Sequence, residues 1–123
     1  MSPRPTGITL HRASHALEVA FDTGETFHLP CEYLRTHSPS AEVQGHGPGQ
    51  RVLQVGKQQV NIVEIVPVGH YGVLLKFDDG HDTGIFSWAV LHDLGTHQAE
   101  NWLAYLEALT KAGYSREGRP TQA

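Results

Sequence analysis

Between Ala16 and Leu29 the chain alternates so regularly that only one local structure suits it. Leu17, Val19 and Phe21 are spaced by Ala16, Glu18 and Ala20; Asp22-Thr23-Gly24 follows, and Phe27 and Leu29 then take up the apolar positions again. Successive side chains of a strand point to opposite faces, so this spacing predicts two strands joined by a tight turn with one face buried. Pro30 has no N–H for a sheet ladder and ends the second strand, after which Cys31 to Arg35 reads as a helical turn. A lone hairpin is marginal in water, so the rest of the chain has to supply its cover.

Further short strands are expected over 7–13, 52–55, 60–67, 71–77 and 83–86, with Asp78-Asp79-Gly80-His81-Asp82 as the turn between the last two. Ser38-Pro39 suits a helix start, with the serine as N-cap and one helical turn from Pro39 to Val43. The residues from Gly45 to Gly49 are rich in Gly and Pro and predict a loop around 44–51. Ser87 is placed to cap a short helix over 88–94, Gly95 to end it and Thr96 to cap the next. From Ala99, the residues Trp102, Leu103, Leu106 and Leu109 recur at three- and four-residue intervals and mark one apolar stripe of a longer helix. The expected fold is α+β. An antiparallel sheet of about five to seven short strands carries a long C-terminal helix and one or two short ones. Residues 1–6 read as a flexible N-terminus, 7–112 as one domain and 113–123 as a polar, disordered tail.

Composition narrows the function classes. The 123 residues hold nine Lys plus Arg against thirteen Asp plus Glu, a net charge of -4, without a basic cluster, which argues against nucleic acid as a partner. No apolar run approaches the roughly 18 residues that span a bilayer, and the N-terminus lacks a secretory pattern, so a cytoplasmic protein without membrane association is expected. The one cysteine, Cys31, cannot form an internal disulfide or a multi-cysteine zinc site.

The densest polar group is the 78–82 segment, with three carboxylates and His81 in five positions. Calcium would accept the oxygens, but the alternation of an EF-hand loop and its closing glutamate are missing. A polar turn accounts for the Asp and Gly on backbone grounds alone. His81 is also a candidate transition-metal ligand, with His37, His46 or Cys31 as companions if the fold brings them together, although no histidine lies at the usual ligand spacing from His81. Cys31 reads as a structural, partly buried thiol, and neither a Gly-x-Ser-x-Gly elbow nor a phosphate-binding glycine loop occurs. Arg35 is placed to bridge to a carboxylate of its own chain or to hold an anion. Trp88 and Trp102 read as core residues, or at a surface as binding anchors.

Three stretches together resemble one family: Leu29-Pro30-Cys31-Glu32-Tyr33-Leu34-Arg35, then His37-Ser38-Pro39-Ser40-Ala41-Glu42, then Phe77 through Trp88 with Leu91-His92-Asp93-Leu94-Gly95. They are similar to the small bacterial proteins grouped as DUF971, the gamma-butyrobetaine hydroxylase-like N-terminal domain. The resemblance covers about residues 7–112. In the carnitine-pathway dioxygenases a similar domain holds zinc with three cysteines and a histidine. Here Tyr33-Leu34-Arg35 matches the lead-in and His81 the histidine, while the cysteine positions fall on Ser38, Ser40 and Val43. The resemblance therefore implies the fold and the meeting of these loops, without the zinc; a polar network of Arg35, Ser38, Asp79 and His81 is expected in its place.

Dioxygenase activity is not expected, because the chain has no space for the catalytic domain. A similar domain also accompanies some plastid P-loop proteins that carry iron–sulfur clusters, which suggests an accessory role with iron–sulfur assembly components as partners. The leading expectation is a non-enzymatic accessory or protein-interaction domain without a cofactor, whose binding surface includes Arg35, Ser38, Asp79, His81 and Trp88. Two alternatives stand beside it: a zinc- or iron-binding protein using His81 and His37, and a small enzyme with Asp79 and His81 as an acid–base pair.

Overall fold

The computed structural model of the protein describes residues 3–45 and 52–118. The alternating N-terminal segment forms three antiparallel strands, β1 (Pro5–His11), β2 (Ala16–Phe21) and β3 (Thr26–Pro30), with β2 in the centre. Leu17 and Val19 of β2 pair with Leu29 and Phe27 of β3, and Leu17, Val19, Phe21 and Leu29 are buried, the face that the alternation predicts. The chain then passes directly from Pro30 into α1 (Cys31–Thr36), every residue of which is buried. After α2 (Ala41–Gln44), a second antiparallel sheet is built from β4 (Ile62–Val68), β5 (Gly72–Phe77) and β6 (Gly84–Ser87), and α3 (Trp88–Thr96) and α4 (Gln98–Ala112) complete the fold.

The architecture is α+β, with six strands divided between two three-stranded sheets instead of forming one. One continuous core joins them: Leu17, Val19 and Leu29 of the first sheet meet Val73, Leu75 and Phe86 of the second, together with Tyr33, Leu34 and Leu91 from the helices.

Several boundaries differ from the sequence reading. The first strand starts at Pro5, inside the segment expected to be flexible, and Arg4 and Asp22 exchange hydrogen bonds beside it. Residues 52–55 form no strand, because their backbone groups are used elsewhere: Val52 N–H donates to Val43 O, and Gln54 O accepts from the Tyr105 hydroxyl. Ser40, not Ser38, caps α2, its hydroxyl accepting the Glu42 N–H at 3.2 Å.

The residues expected to begin a disordered tail are packed as far as Gly118. Gly113 closes α4 in a left-handed conformation, Arg116 O accepts from Gly56 N–H, and the Arg116 guanidinium pairs with buried Glu32. A buried carboxylate needs a counter-ion, and that need holds the polar segment in place. The rest of the expected tail, 119–123, lies outside the described residues, as does 46–51 of the expected loop.

Ser87 caps α3 as its sequence predicts, accepting the Val90 N–H at 3.1 Å. Gly95 does not end that helix. It lies inside α3, where an added Cβ would stand 2.4 Å from Cγ of Phe27. Glycine at 95 thus lets the helix approach the first sheet closely. Gly→Ala normally stabilises a helix interior by about 0.5–1 kcal/mol. Gly95→Ala should instead destabilise by roughly 1–2 kcal/mol through overpacking, measurable as a lower urea midpoint at unchanged slope.

In α4 the buried stripe consists of Tyr105 and Leu109 with half-buried Trp102, while Leu103 points outward at 62% exposure. The tyrosine takes the inward place because its hydroxyl has a partner in Gln54 O at 2.7 Å. Among the described residues, no helix is long and apolar enough to cross a membrane.

Candidate functional site

The handover from β3 to α1 points Arg35 inward, and the β5–β6 hairpin brings the 78–82 turn beside it. Gly80, at φ +90°, makes the turn's left-handed bend, and Phe77 N–H closes it on His81 O at 2.9 Å. Asp79 then lies at the junction. Its Oδ2 accepts from Arg35 Nε at 2.9 Å and from Lys57 Nζ at 2.7 Å, and its Oδ1 accepts the backbone N–H of His81 at 3.2 Å. Burial opposes ionisation of this carboxyl, but Lys57, the His81 N–H and Arg35 together outweigh it and hold the group below its ordinary value of 3.8. The Arg35 side chain is 9% exposed, and its Nη1 is buried without a hydrogen-bond partner among the described residues.

The imidazole of His81 faces the other way, into a second set of bonds. Nδ1 lies 2.7 Å from Glu42 Oε2 and Nε2 lies 2.9 Å from Ser38 Oγ. A ring proton on Nδ1 satisfies both contacts, since Nδ1–H then donates to the carboxylate and Nε2 accepts the serine hydroxyl. Ser38 Oγ in turn accepts the Ser40 N–H at 3.3 Å, and Ser40 Oγ stands 2.6 Å from Thr83 Oγ1. Ser38 is fully buried and His81 is 3% exposed. Gly84 lies against this group so closely that a Cβ there would come within 2.4 Å of Ser38 Oγ and 3.5 Å of His81 Nε2.

Arg35, Ser38, Asp79 and His81 are therefore brought together, in the arrangement that the resemblance implies. Two other expected members are not. Trp88 stands at the opposite end of β6 from the turn, where its backbone N–H donates to Tyr71 O and its indole to His70 O. An antiparallel hairpin of this length separates its turn from its open end, so Trp88 belongs to the core and not to the polar group. His37 has its Nδ1 3.0 Å from Tyr33 O and its ring 4.6 Å from that of Tyr33. It lines a cavity of about 370 Å³ between α1 and α4, away from the bonds of His81. His46 lies outside the described residues.

The sequence reading missed three partners: Glu42, which holds His81; Lys57, which shares Asp79; and Thr83, which meets Ser40. Glu42 and Lys57 are 39 and 22 residues from their partners, and no local spacing announces such a pair.

The arrangement decides which chemistry is open to these residues. The three positions where the resemblance implies zinc-binding cysteines carry two hydroxyls, both engaged, and the fully buried isopropyl group of Val43. Zinc takes thiolate, imidazole or carboxylate donors, and none of the three supplies one. Among the described residues, no group of three His, Cys, Asp or Glu side chains could hold a metal ion. The residues present do not fit the zinc.

An Asp79–His81 acid–base pair is no better supported, because Asp79 meets the backbone of His81 while the imidazole is held by Glu42 and Ser38. Cys31 is fully buried, and burial pushes its thiol up to about 11, with the nearby charge of Asp78 adding to the shift. Disulfide reagents at neutral pH should therefore label Cys31 no faster than the protein unfolds, with urea accelerating the reaction; labelling of the native protein at the rate of a free thiol would contradict this.

A second feature is open to solvent. A groove of about 650 Å³ runs between α1 and α4 past Tyr33, Ala99 and Trp102. Arg116 lies over the Trp102 ring at 5.3 Å and reaches Glu32 at 3.2 Å through Nε. The Tyr33 hydroxyl is anchored beneath the groove by donating to Leu94 O at 2.7 Å.

Comparison with known proteins supports the family and the overall fold. The sequence matches the family described as gamma-butyrobetaine hydroxylase-like, N-terminal, over residues 8–92. No curated protein matches the chain. Two protein structures determined by NMR in solution are similar over nearly the full length. One is 45% identical, covering 98% of this chain and 95% of the other at a TM-score of 0.84; the second is 52% identical, covering 99% and 91% at 0.82. A crystal structure of a protein of unknown function of the DUF971 family from Acidithiobacillus ferrooxidans is 40% identical, covering 75% of this chain and 92% of that one at a TM-score of 0.63. With the matched span running from β1 into α3 and containing the whole Arg35–Asp79–His81–Ser38 junction, the chain belongs to the gamma-butyrobetaine hydroxylase-like N-terminal family, the DUF971 proteins.

Proposed function

We propose that this chain is a non-enzymatic protein-interaction module that receives a segment of a partner in the groove between α1 and α4. The observation that carries the reading is a contrast between two places. Of the groups able to do chemistry, His81 and Ser38 are buried and bonded to each other, and Asp79, which reaches solvent, is held by Arg35, Lys57 and the His81 N–H, whereas the groove is open and presents half-buried Trp102 and exposed Arg116, residue types that dominate binding energy, above buried Tyr33. Its base is held by the Tyr33 hydroxyl, so little ordering is needed when a partner arrives. Iron–sulfur assembly components, suggested by the company the domain keeps, are the first candidates for that partner.

A photo-crosslinker at Ala99, an exposed groove residue, compared in cells with one at Val63 on the second sheet, tests the reading. An adduct specific to position 99 should, once purified, bind the intact protein and lose at least about tenfold in affinity to Ala99→Arg, a change of about 1.4 kcal/mol. Equal binding to Ala99→Arg, or identical adducts from both positions, would remove the groove from consideration.

A further inference from the structure

The segment carrying Ser38, Ser40 and Glu42 and the turn carrying His81 and Thr83 are more than 35 residues apart in the chain, yet three direct side-chain bonds join them. These are Ser38 Oγ to His81 Nε2 at 2.9 Å, Glu42 Oε2 to His81 Nδ1 at 2.7 Å, and Ser40 Oγ to Thr83 Oγ1 at 2.6 Å. From this we infer that a hydrogen-bonded clasp, and not a bound metal, closes this junction, so the protein folds to its full stability without metal. The argument rests on saturation and on space.

Both ring nitrogens of His81 are engaged, and Ser38 Oγ donates to His81 while accepting from Ser40 N–H. A metal would have to displace an imidazole bond that already satisfies a ring only 3% exposed, and would gain hydroxyl oxygens in exchange, which are poor ligands for zinc. Space is equally restrictive. Ser38 and His81 are in direct contact, and the backbone of Gly84 is packed against both, near enough that even a methyl group would overlap Ser38 Oγ. Val43, at the third position, is a fully buried aliphatic group and offers a metal no donor. The clasp thus cross-links the same two segments that a metal would, using neutral hydroxyls and one imidazole–carboxylate pair.

The test uses the whole protein, labelled with nitrogen-15 so that the two ring nitrogens of His81 report directly on their partners. Melting temperature and His81 signals should be unchanged by a strong chelator and by one equivalent of zinc or iron(II). Ser38→Ala leaves Nε2 buried without its donor and should lower the melting temperature by about 5 °C or more, moving the Nε2 signal whether or not zinc is present. Should that variant fail to fold, Glu42→Gln is the milder probe, because Glu42 is 59% exposed and glutamine keeps an acceptor; it should shift Nδ1 and leave the indifference to metal intact. A chelator that lowers the melting temperature of the unmodified protein would overturn the inference, as would a stoichiometric metal that shifts both His81 nitrogens. So would silence of the His81 signals in both variants.

Discussion

Replacing Asp79 with alanine should lower the unfolding free energy by about 3 kcal/mol. The cost comes from the groups left behind more than from the bonds lost. The Arg35 side chain is 9% exposed and already has one buried nitrogen unpartnered among the described residues; without Asp79 its charge loses the ion-pair partner it has there. Lys57 can turn to water, and the His81 N–H loses an acceptor that orders the turn. Urea unfolding of Asp79→Ala against the unmodified protein measures the effect, and a loss under about 1 kcal/mol would mean that Arg35 finds another partner.

Acid provides a second reading of the same carboxyl. The folded protein holds Asp79 below its ordinary value of 3.8, so the unfolded chain binds the proton more readily. The stabilisation is therefore complete above that value and is lost as pH falls through the lower, folded one. The stability difference between the unmodified protein and Asp79→Asn should be constant from neutral pH down to about 4 and shrink below it. Taking the difference cancels the titration of the nine histidines.

Gly84→Ala is expected to cost about 2–3 kcal/mol by overpacking, although the residue lies in a strand where a side chain would normally help. The added carbon would stand 2.4 Å from Ser38 Oγ and 3.1 Å from Cε1 of Phe86, both of them fully buried and unable to retreat. Breaking the Ser38–His81 contact is the cheapest relief, so the His81 Nε2 signal should move along with the urea midpoint. Gly7→Ala is the control: nothing lies within 4 Å of a Cβ at Gly7, also in a strand, and its midpoint should stay in place or rise slightly. Equal behaviour of the two variants would show that Gly84 is not held against the clasp.

Much of the local structure was written in the order of residues, because it depends on neighbours a few positions away. Alternation at Leu17, Val19 and Phe21 set the buried face of β2, Pro30 ended β3, and Ser87 capped α3. The resemblance carried by the Tyr33-Leu34-Arg35 and Asp79-Gly80-His81 stretches placed Arg35, Asp79 and His81 in one neighbourhood, where they are. Expectations failed where a distant group competed for the same residue. Gly95 looked like a helix end until Phe27 packed against it, and the polar 115–118 segment looked frayed until Glu32 was buried beneath Arg116.

By itself, then, the sequence determined the α+β class and the N-terminal hairpin, which follow from residue type and short-range spacing, and it shows that Ser38, Ser40 and Val43 stand where the resemblance implies zinc-binding cysteines. Only the tertiary structure decided that six strands form two sheets, that Glu42 and Ser38 saturate His81, and that Trp88 is remote from the junction while Trp102 lies beside an open groove. Hydrogen bonds and burial between segments tens of residues apart depend on which surfaces meet when the core closes, and no periodicity within one segment records that meeting.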